Sequence, residues 1–209
     1  MVAQSEKDAD MRQYASIVLS ILLLAGVFGV KYYSRFRRLS KGIDGPSRST
    51  ELPATLRAPR IEIQKRLRVL MLYDGEDFVQ AYMVGLGTQP VGHKLREGDG
   101  RTPEGTYYVC MKNTNSKFHM SLGLSYPGTA DAARGLREGI ISRVEHDAIV
   151  AAIKAGQQPL WNTALGGEIC IHGNGAGSDW TQGCIALDNK NIEKIFKLVP
   201  LGTPVTILP

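Results

Sequence analysis

The stretch that decides how this chain folds runs from residue 169 to residue 187 and reads ICIHGNGAGSDWTQGCIAL. In the alternation of a β-strand, Cys170 and His172 face one side of the sheet, and the isoleucines beside them face the other. His172 thus ends a short strand, and the glycine after it lets the chain open into a loop. Because that loop, residues 174–182, leads to Cys184 at the start of the next apolar run, we expect it to bring Cys184 to His172.

A cysteine beside a histidine has a definite chemical use. A free thiol is mostly protonated near neutral pH, and an adjacent imidazole can take its proton to give a nucleophilic thiolate. Gly183 has no side chain, so the N–H groups of Gly183 and Cys184 can point at one spot and stabilise an oxyanion. Spacing alone is also compatible with an accidental pairing of two side chains, so a more specific signal is needed.

Two stretches carry that signal: EGDGRTPEGTYYV at residues 97–109, and IHG followed by TQGCIAL within residues 171–187. Together they resemble the L,D-transpeptidase catalytic domain of the YkuD type, and GCIAL resembles one branch of that family. The similarity extends from the segment RVLMLYDGEDFVQAYMVGLG to the terminal GTPVTIL. The resemblance implies a mainly β, sandwich-like catalytic domain with a few helices, and no metal or organic cofactor.

The resemblance also implies roles for individual residues. Cys184 matches the family's nucleophile and His172 its general base and acid. The backbone carbonyl of Gly173 would orient the imidazole in place of a triad carboxylate. The Gly183 N–H matches an oxyanion position, and Thr181 matches the hydroxyl residue of the motif and is a candidate for substrate binding.

Further candidates for substrate binding are less well defined. Trp180 either lines the cleft or anchors the loop. Lys94 and Arg101 are candidate contacts for stem-peptide carboxylates, with solvated loop charges as the alternative. Two positions depart from the family pattern: Gln182 replaces a frequent His, and Ala186 replaces a frequent Arg. Because an Arg there can help to position the stem peptide, the acceptor of the reaction is left open.

The predicted function is that of a peptidoglycan L,D-transpeptidase. Its cysteine forms a thioester with the stem peptide and transfers it to an amine of a second stem peptide, a wall-attached protein or a D-amino acid. One alternative is an L,D-carboxypeptidase or amidase-type hydrolase on the same scaffold, with water as the acceptor. Another alternative is a non-catalytic wall-binding module.

Three cysteines are too few for a disulfide scaffold. Cys110 lies in an apolar strand segment and is predicted to pack in the core. Cys170 shares a strand face with His172, so it can pack beside the site, pair with Cys184 under oxidation, or join a metal site. Such a metal site has no evident fourth ligand, so no metal is predicted.

The net charge of +5 does not indicate nucleic-acid binding. Residues 1–60 hold 10 Lys and Arg against 5 Asp and Glu, whereas residues 61–209 hold 15 of each. The basic excess therefore lies outside the predicted domain, and a DNA- or RNA-binding face loses its main support.

The sequence predicts four segments: a tail at 1–13, a transmembrane anchor at 14–33, a basic tether at 34–60 and the catalytic domain at 61–209. The anchor holds an uncharged apolar run flanked by tyrosines, and it would span about 30 Å as a helix. Most basic residues near the anchor follow it, which by the positive-inside rule would keep the domain in the cytoplasm. Wall chemistry instead predicts an extracytoplasmic domain, so the orientation stays open.

Local signals predict several elements of the domain. Strands at 69–73 and 78–84 flank a hairpin turn at residues 74–77, and later strands are expected at 106–111, 120–126, 169–172, 184–187 and 205–208. Asp99 and residues 102–105 are predicted to form a turn into the strand at 106. Ser142 and Glu145 form a capping box whose helix runs to about Ala155, and a second helix is predicted at 191–199.

Overall fold

The computed structural model describes residues 53–209, which belong to one compact unit. The predicted tail and transmembrane anchor, and most of the predicted tether, lie outside the described residues. Among residues 53–209, no helix is both long and apolar enough to cross a bilayer.

Eight strands form one continuous sheet. The strands are β1 (Pro59–Gln64), β2 (Val69–Asp74), β3 (Asp77–Met83), β4 (Gly105–Ser116), β5 (His119–Leu124), β6 (Cys170–His172), β7 (Ile185–Ala186) and β8 (Pro204–Leu208). Their order across the sheet is β3-β2-β1-β8-β4-β5-β6-β7. The pairs β1–β8 and β6–β7 are parallel, and the other pairs are antiparallel. The predicted hairpin is confirmed, because β2 and β3 pair across the turn at residues 74–77.

The two ends of the sheet meet. Beyond β3, the Gly85 N–H donates to the Ala186 carbonyl at 2.9 Å, and the Ala186 N–H donates back at 2.8 Å. A further bridge joins Gly87 to Thr181. The predicted mainly β class is therefore confirmed, but the expected sandwich is corrected to one sheet that curls on itself, because the segment after β3 pairs with β7.

Three helices complete the domain: α1 (Thr129–Arg137), α2 (Arg143–Lys154) and α3 (Asn189–Leu198). The predicted capping box opens α2, since Ser142 Oγ accepts from the Glu145 N–H at 3.2 Å and the Glu145 carboxylate accepts from the Ser142 N–H at 2.7 Å. Gly156 follows α2 at φ 67°, a left-handed conformation that glycine adopts without strain. Helix α1 had no sequence prediction.

Buried apolar side chains form two clusters. The main core draws on the strands and on Ile192 and Ile195 of α3. A smaller cluster between α1 and α2 is centred on Ala132, Ile149 and Leu165. The main core includes Ile171 of β6 and Ile185 of β7, so the strands that carry the candidate site are anchored in it.

A buried lysine holds the turn that precedes β4. Lys65 is 2% exposed, and its Nζ donates to the Gly92 carbonyl at 2.6 Å and to the Thr102 carbonyl at 2.9 Å. It also pairs with Glu104 at 2.8 Å. The interactions of the RTPEG segment with Lys65 are therefore structural, which agrees with its prediction as a turn.

Candidate active site

The register of β6 and β7 brings Cys184 beside His172. In this parallel pair Ile171 lies opposite Ile185, and His172 lies opposite Ala186. Cys184 immediately precedes β7, one residue before the first of these pairs. His172 lies close enough to Cys184 to lower the pKa of its thiol. The expected return of the chain toward His172 is therefore present in the structure.

The imidazole of His172 is held in one orientation. Its Nδ1 lies 2.7 Å from the Gly173 carbonyl, and because a carbonyl oxygen only accepts, Nδ1 carries the proton and donates. This leaves Nε2 of the neutral ring with a lone pair. Gly173 has little room for a side chain, since an added Cβ would lie 2.5 Å from Asn189 Oδ1 and 2.9 Å from the Phe118 carbonyl.

Two aromatic rings enclose His172, which is only 2% exposed. Phe118 stacks on the imidazole with centroids 4.6 Å apart and planes at 21°. Trp180 meets the imidazole edge-on at 5.6 Å, and it meets Phe118 in the same way. Phe118 lies at the β4–β5 turn, and its carbonyl accepts from the Gly173 N–H at 3.0 Å. The turn is thus tied to the histidine through both backbone and ring.

The Cys184 sulfur lies among polar groups and is half-buried. It accepts from the Cys170 N–H at 3.4 Å, and as a thiol it donates to the Glu168 carbonyl at 3.4 Å. Glu168 adopts the left-handed region at φ 53°, which is uncommon for a residue with a side chain.

These surroundings favour the thiolate of Cys184. A hydrogen bond with the Cys170 thiol lowers the pKa of Cys184 most, burial opposes this effect, and the hydrogen bond and charge of His172 lower the pKa further. The net result is a Cys184 pKa well below its ordinary value. The pKa of Cys170 is raised, first by its hydrogen bond with Cys184 and then by burial.

The loop residues before Cys184 are used internally. Thr181 is buried; its hydroxyl donates to the Cys184 carbonyl at 2.8 Å and accepts from the Gly183 N–H at 3.1 Å. The Gly183 N–H, predicted as an oxyanion donor, therefore already has an acceptor within the loop. Gly183 is needed instead for its φ of 130° and for the close approach of the Arg101 carbonyl, 2.6 Å from an added Cβ.

Trp180 and its neighbour anchor the loop. The Trp180 indole Nε1 donates to the Gly175 carbonyl at 3.1 Å, and its ring also lines the groove, so both sequence interpretations of Trp180 apply. Asp179 receives a bidentate contact from Arg68 at 2.7–3.0 Å and a hydrogen bond from the Leu86 N–H at 2.9 Å. The loop is therefore fastened to the segment before β2 and to the segment after β3.

The site opens into a groove of about 950 Å³ that Cys184 and His172 both line. Lys94 lines it too, but Lys94 is buried and paired with Asp99 at 2.8 Å, which overturns its interpretation as a solvated loop charge. Arg101 is not among the groove-lining residues, and its Nη1 donates to the His93 carbonyl at 3.4 Å.

Sequence reasoning missed several residues of this site. Phe118, Lys117 and Trp161 line the groove, but they lie far from the two motifs, and no local pattern marks them. Lys117 has no ion-pair partner within residues 53–209, and its Nζ lies 5.0 Å from the centre of the Phe118 ring. Asp179 directly precedes the WTQGC segment, and that proximity is the one signal that could have identified it.

The described part of the chain contains no group of three or more His, Cys, Asp or Glu side chains arranged to hold a metal ion. Cys170, His172 and Cys184 are thus neighbours without forming such a group.

Comparison with protein families identifies one match. A family model of the L,D-transpeptidase catalytic domain, YkuD, matches residues 58–207, which contain both motifs and, apart from Leu208, all eight strands. A comparison with curated protein sequences finds no match.

Solved structures with similar folds include three from bacteria. The helical cell shape determining protein Pgp2 from Campylobacter jejuni has a TM-score of 0.51 at 22% identity; the alignment covers 72% of this chain and 47% of that chain. An L,D-transpeptidase from Xylanimonas cellulosilytica has a TM-score of 0.43 at 15% identity, covering 81% and 69%. L,D-transpeptidase 1 from Mycobacterium tuberculosis has a TM-score of 0.43 at 13% identity, covering 73% and 62%. This chain therefore aligns with less than half of Pgp2, and at 22% identity that similarity concerns the fold.

Proposed function

Because this chain belongs to the YkuD family of L,D-transpeptidase catalytic domains, we propose that it modifies peptidoglycan by acyl transfer through Cys184. The observation that carries the proposal is that the Gly173 carbonyl, the His172 imidazole and the Cys184 sulfur lie together at a groove. The Gly173 carbonyl holds Nδ1 of His172, and the imidazole lowers the pKa of the neighbouring Cys184 thiol. A thiolate, an oriented imidazole and access for a peptide are what acyl transfer to cysteine requires.

In the first half of the reaction, the Cys184 thiolate attacks the carbonyl of the third residue of a stem tetrapeptide. His172 holds the former thiol proton as an imidazolium, next to the electron-rich face of Phe118. As the tetrahedral intermediate collapses, His172 gives this proton to the leaving amine, and the terminal D-alanine departs. A thioester on Cys184 remains.

The oxyanion of that intermediate needs a donor. Since the Gly183 N–H is bonded to Thr181, we assign this role to the N–H of Cys184. Thr181 then has a positioning role, because its hydroxyl fixes the turn between Trp180 and Cys184. Loss of one oxyanion donor typically costs about 10²–10³ in kcat, which is the scale expected for a change that distorts this turn.

In the second half of the reaction, an amine attacks the thioester and His172 accepts its proton. The amine can belong to a second stem peptide, a wall-attached protein or a D-amino acid. Lys117 is our candidate contact for a carboxylate of either substrate, because it lines the groove and has no ion-pair partner within the described chain.

Hydrolysis of the same thioester is the second candidate function. The observation that favours it is Ala186, which is fully buried and paired with Gly85. No guanidinium therefore projects from this position, where the family often has an arginine that can orient a stem peptide. Water would then compete more easily for the thioester.

The test incubates the purified full chain with tetrapeptide muropeptides and analyses the products by mass spectrometry. Crosslinked dimers formed with loss of one D-alanine each support transfer, whereas tripeptides alone support hydrolysis. Cys184→Ala is expected to abolish both products, and Cys110→Ser is the matched control that keeps them. Turnover that persists in Cys184→Ala overturns the proposal.

A wall-binding module without turnover makes a different prediction. Such a protein would leave muropeptides unchanged, and Cys184→Ala would bind purified sacculi as well as the unaltered chain does.

We further propose that residues 14–33 anchor the protein and that the catalytic domain faces the wall, since its substrate lies there. A reporter active only outside the cytoplasm, fused after Pro209, tests this orientation, and an inactive but intact fusion contradicts it.

A further inference from the structure

The site contains a second thiol that the proposed reaction does not require. Cys170 belongs to β6, two residues before His172, and its side chain lies on the same strand face as the imidazole. The Cys170 N–H donates to the Cys184 sulfur at 3.4 Å, and the two thiols shift each other's pKa in opposite directions. Cys184 lines the groove, and Cys170 lies beside it.

The backbone geometry suits a bond between them. Ile171 and Ile185 are direct neighbours in the parallel pair, so Cys170 and Cys184 lie opposite each other one step earlier. Adjacent strands lie about 4.8 Å apart, and disulfides join Cα atoms separated by about 4.4–6.8 Å. The two cysteines are 14 residues apart in sequence, and the loop between them is already closed by the fold, so little chain rearrangement is needed.

The two thiols differ in reactivity. Cys184 is half-buried at the groove, where an oxidant can reach it, and His172 and Cys170 favour its thiolate. Cys170 keeps its proton, because its pKa is raised by Cys184, by burial and by the nearby Cys110 and Glu168. A thiolate that is accessible and adjacent to a second thiol is the arrangement of oxidation-sensitive cysteines.

We propose that Cys170 and Cys184 form an oxidisable pair, in which a hydroperoxide oxidises Cys184 and Cys170 then closes an intramolecular disulfide. The Cys184 sulfur attacks one oxygen of the peroxide, the O–O bond breaks, and the sulfur is oxidised to a sulfenic acid while the peroxide is reduced to hydroxide or alkoxide. The Cys170 sulfur then attacks the Cys184 sulfur. The S–S bond forms, the S–O bond breaks, and the hydroxyl leaves with the Cys170 proton as water.

The disulfide has two consequences for the site. It removes the nucleophile, and it protects Cys184 from further oxidation to the irreversible sulfinic acid. A dithiol reductant would restore both thiols by exchange. The effect on turnover rests on the function proposed above, whereas the formation of the disulfide does not.

The experiment treats the full chain with hydrogen peroxide, alkylates it with N-ethylmaleimide, and measures the mass of a tryptic peptide. Residues 155–190 form one such peptide with both cysteines, since no Lys or Arg lies between Lys154 and Lys190. The expected product has lost two hydrogen atoms, carries no maleimide, and regains two maleimides when dithiothreitol precedes alkylation. Cys110→Ser is the matched control and is expected to behave identically.

Cys170→Ser separates the pair. Without the second thiol, Cys184 is expected to accumulate as sulfinic acid, with about ten-fold less labelling recovered by reductant than in the unaltered chain. The inference is overturned if Cys184 gains oxygen after peroxide while Cys170 stays alkylatable, or if Cys170→Ser recovers as fully as the unaltered chain. The mass of the unaltered chain decides the first outcome, so the inference stays testable even if Cys170→Ser folds poorly.

Failure of the two proposals is distinguishable. A chain that forms the disulfide but leaves muropeptides unchanged contradicts the proposed function alone. A chain that turns over muropeptides, yet never loses two hydrogen atoms from this peptide, contradicts the oxidisable pair alone.

Discussion

Replacing Phe118 with leucine removes the ring that stacks on His172 and is expected to slow the chemistry at Cys184. The substitution keeps the backbone carbonyl that accepts from the Gly173 N–H, so the turn stays attached to β6. It removes the aromatic face that lies 4.6 Å from the imidazole centroid and nearly parallel to it. That face stabilises a positive charge on His172, which appears when the thiolate forms.

The magnitude follows from the burial of the imidazole. Contacts between a cation and an aromatic face contribute about 0.5–1 kcal/mol at exposed sites and about 2 kcal/mol when desolvated. His172 is 2% exposed, so we expect a loss of about 1–2 kcal/mol, which corresponds to a rate about 5- to 30-fold lower. The pKa of Cys184 is expected to rise, because a less stable imidazolium stabilises the thiolate less. The thiolate fraction at neutral pH therefore falls.

The assay measures the rate of Cys184 alkylation by iodoacetamide between pH 5 and pH 9, together with kcat and KM for tetrapeptide muropeptides. Phe118→Leu is expected to shift the alkylation profile to higher pH and to lower kcat more than it raises KM. Phe118→Tyr keeps a ring and should restore most of both. Phe78→Leu is the matched control, because Phe78 also lies by a hairpin turn, is 40% exposed and packs on Tyr73 away from the site.

An unchanged alkylation profile in Phe118→Leu would refute the electrostatic role of the ring. A rise in KM alone, with kcat and the profile retained, would assign Phe118 to substrate binding instead. Equal losses in Phe118→Leu and Phe118→Tyr would mean that the turn itself had been disturbed.

Three further predictions concern selectivity and stability. At neutral pH, iodoacetamide should label Cys184 well before Cys110, because burial raises the pKa of Cys110 to about 11 while the pKa of Cys184 is lowered. Peptide mass spectrometry reports the labelling of both sites, and equal labelling contradicts Cys184 as the reactive thiol. Burial opposes ionisation of Asp99, but hydrogen bonds from Lys94 and backbone amides lower its pKa from 3.8 to about 2. Its contribution of about 2 kcal/mol to the free energy of unfolding is therefore complete above pH 4 and is lost as pH falls through about 2. Urea unfolding should show this acid-dependent loss of stability in the unaltered chain and not in Asp99→Asn, and parallel curves of stability against pH for the two proteins contradict it. Lys65→Met should lower the free energy of unfolding by about 3 kcal/mol, because it leaves the Glu104 carboxylate and the two backbone carbonyls without the cation that they share. A loss below about 1 kcal/mol in urea unfolding would show that these acceptors are satisfied without the lysine.

Elements whose signals are local were predictable from the sequence. The hairpin at residues 74–77 depends on a turn between two β-rich runs, and α2 depends on a Ser–Glu capping box, so neighbouring residues suffice to specify each. The strand, loop and strand of residues 169–187 are specified in the same way. Short-range patterns of this kind do not depend on how distant parts of the chain pack.

Long-range pairings were not predictable in the same way. Strand β1 carries the alternating buried pair Ile61 and Ile63. Its parallel partner β8, however, comes from the other end of the domain's sequence. The bridge from Gly85 to Ala186 likewise joins distant segments, and it turns the expected sandwich into one curled sheet. The N-cap residue of helix α1 is Gly128, which has no side chain to accept a hydrogen bond, so the usual start signal is absent.

Within the candidate site, the sequence predicted which residues come together better than it predicted their surroundings. Cys184, His172 and Gly173 follow from strand alternation and family resemblance, because their positions are set by one strand and one loop. The use of the Gly183 N–H depends on the rotamer of Thr181, and the ring over His172 comes from the β4–β5 turn. Neither can be deduced from spacing, since each depends on which side chain reaches a given atom.

The register of β6 and β7 links the proposed reaction to the proposed oxidation. Parallel pairing at Ile171 and Ile185 places Cys184 beside both Cys170 and His172, because residues 170 and 172 share one face of β6. Serine at position 170 would remove the second thiol and leave the register, the imidazole and a hydroxyl beside Cys184 in place. Cys170→Ser should therefore lose reversibility after peroxide, while under reducing conditions it should keep a turnover that reaches its maximum at a higher pH, because Cys170 contributes to the lowered pKa of Cys184.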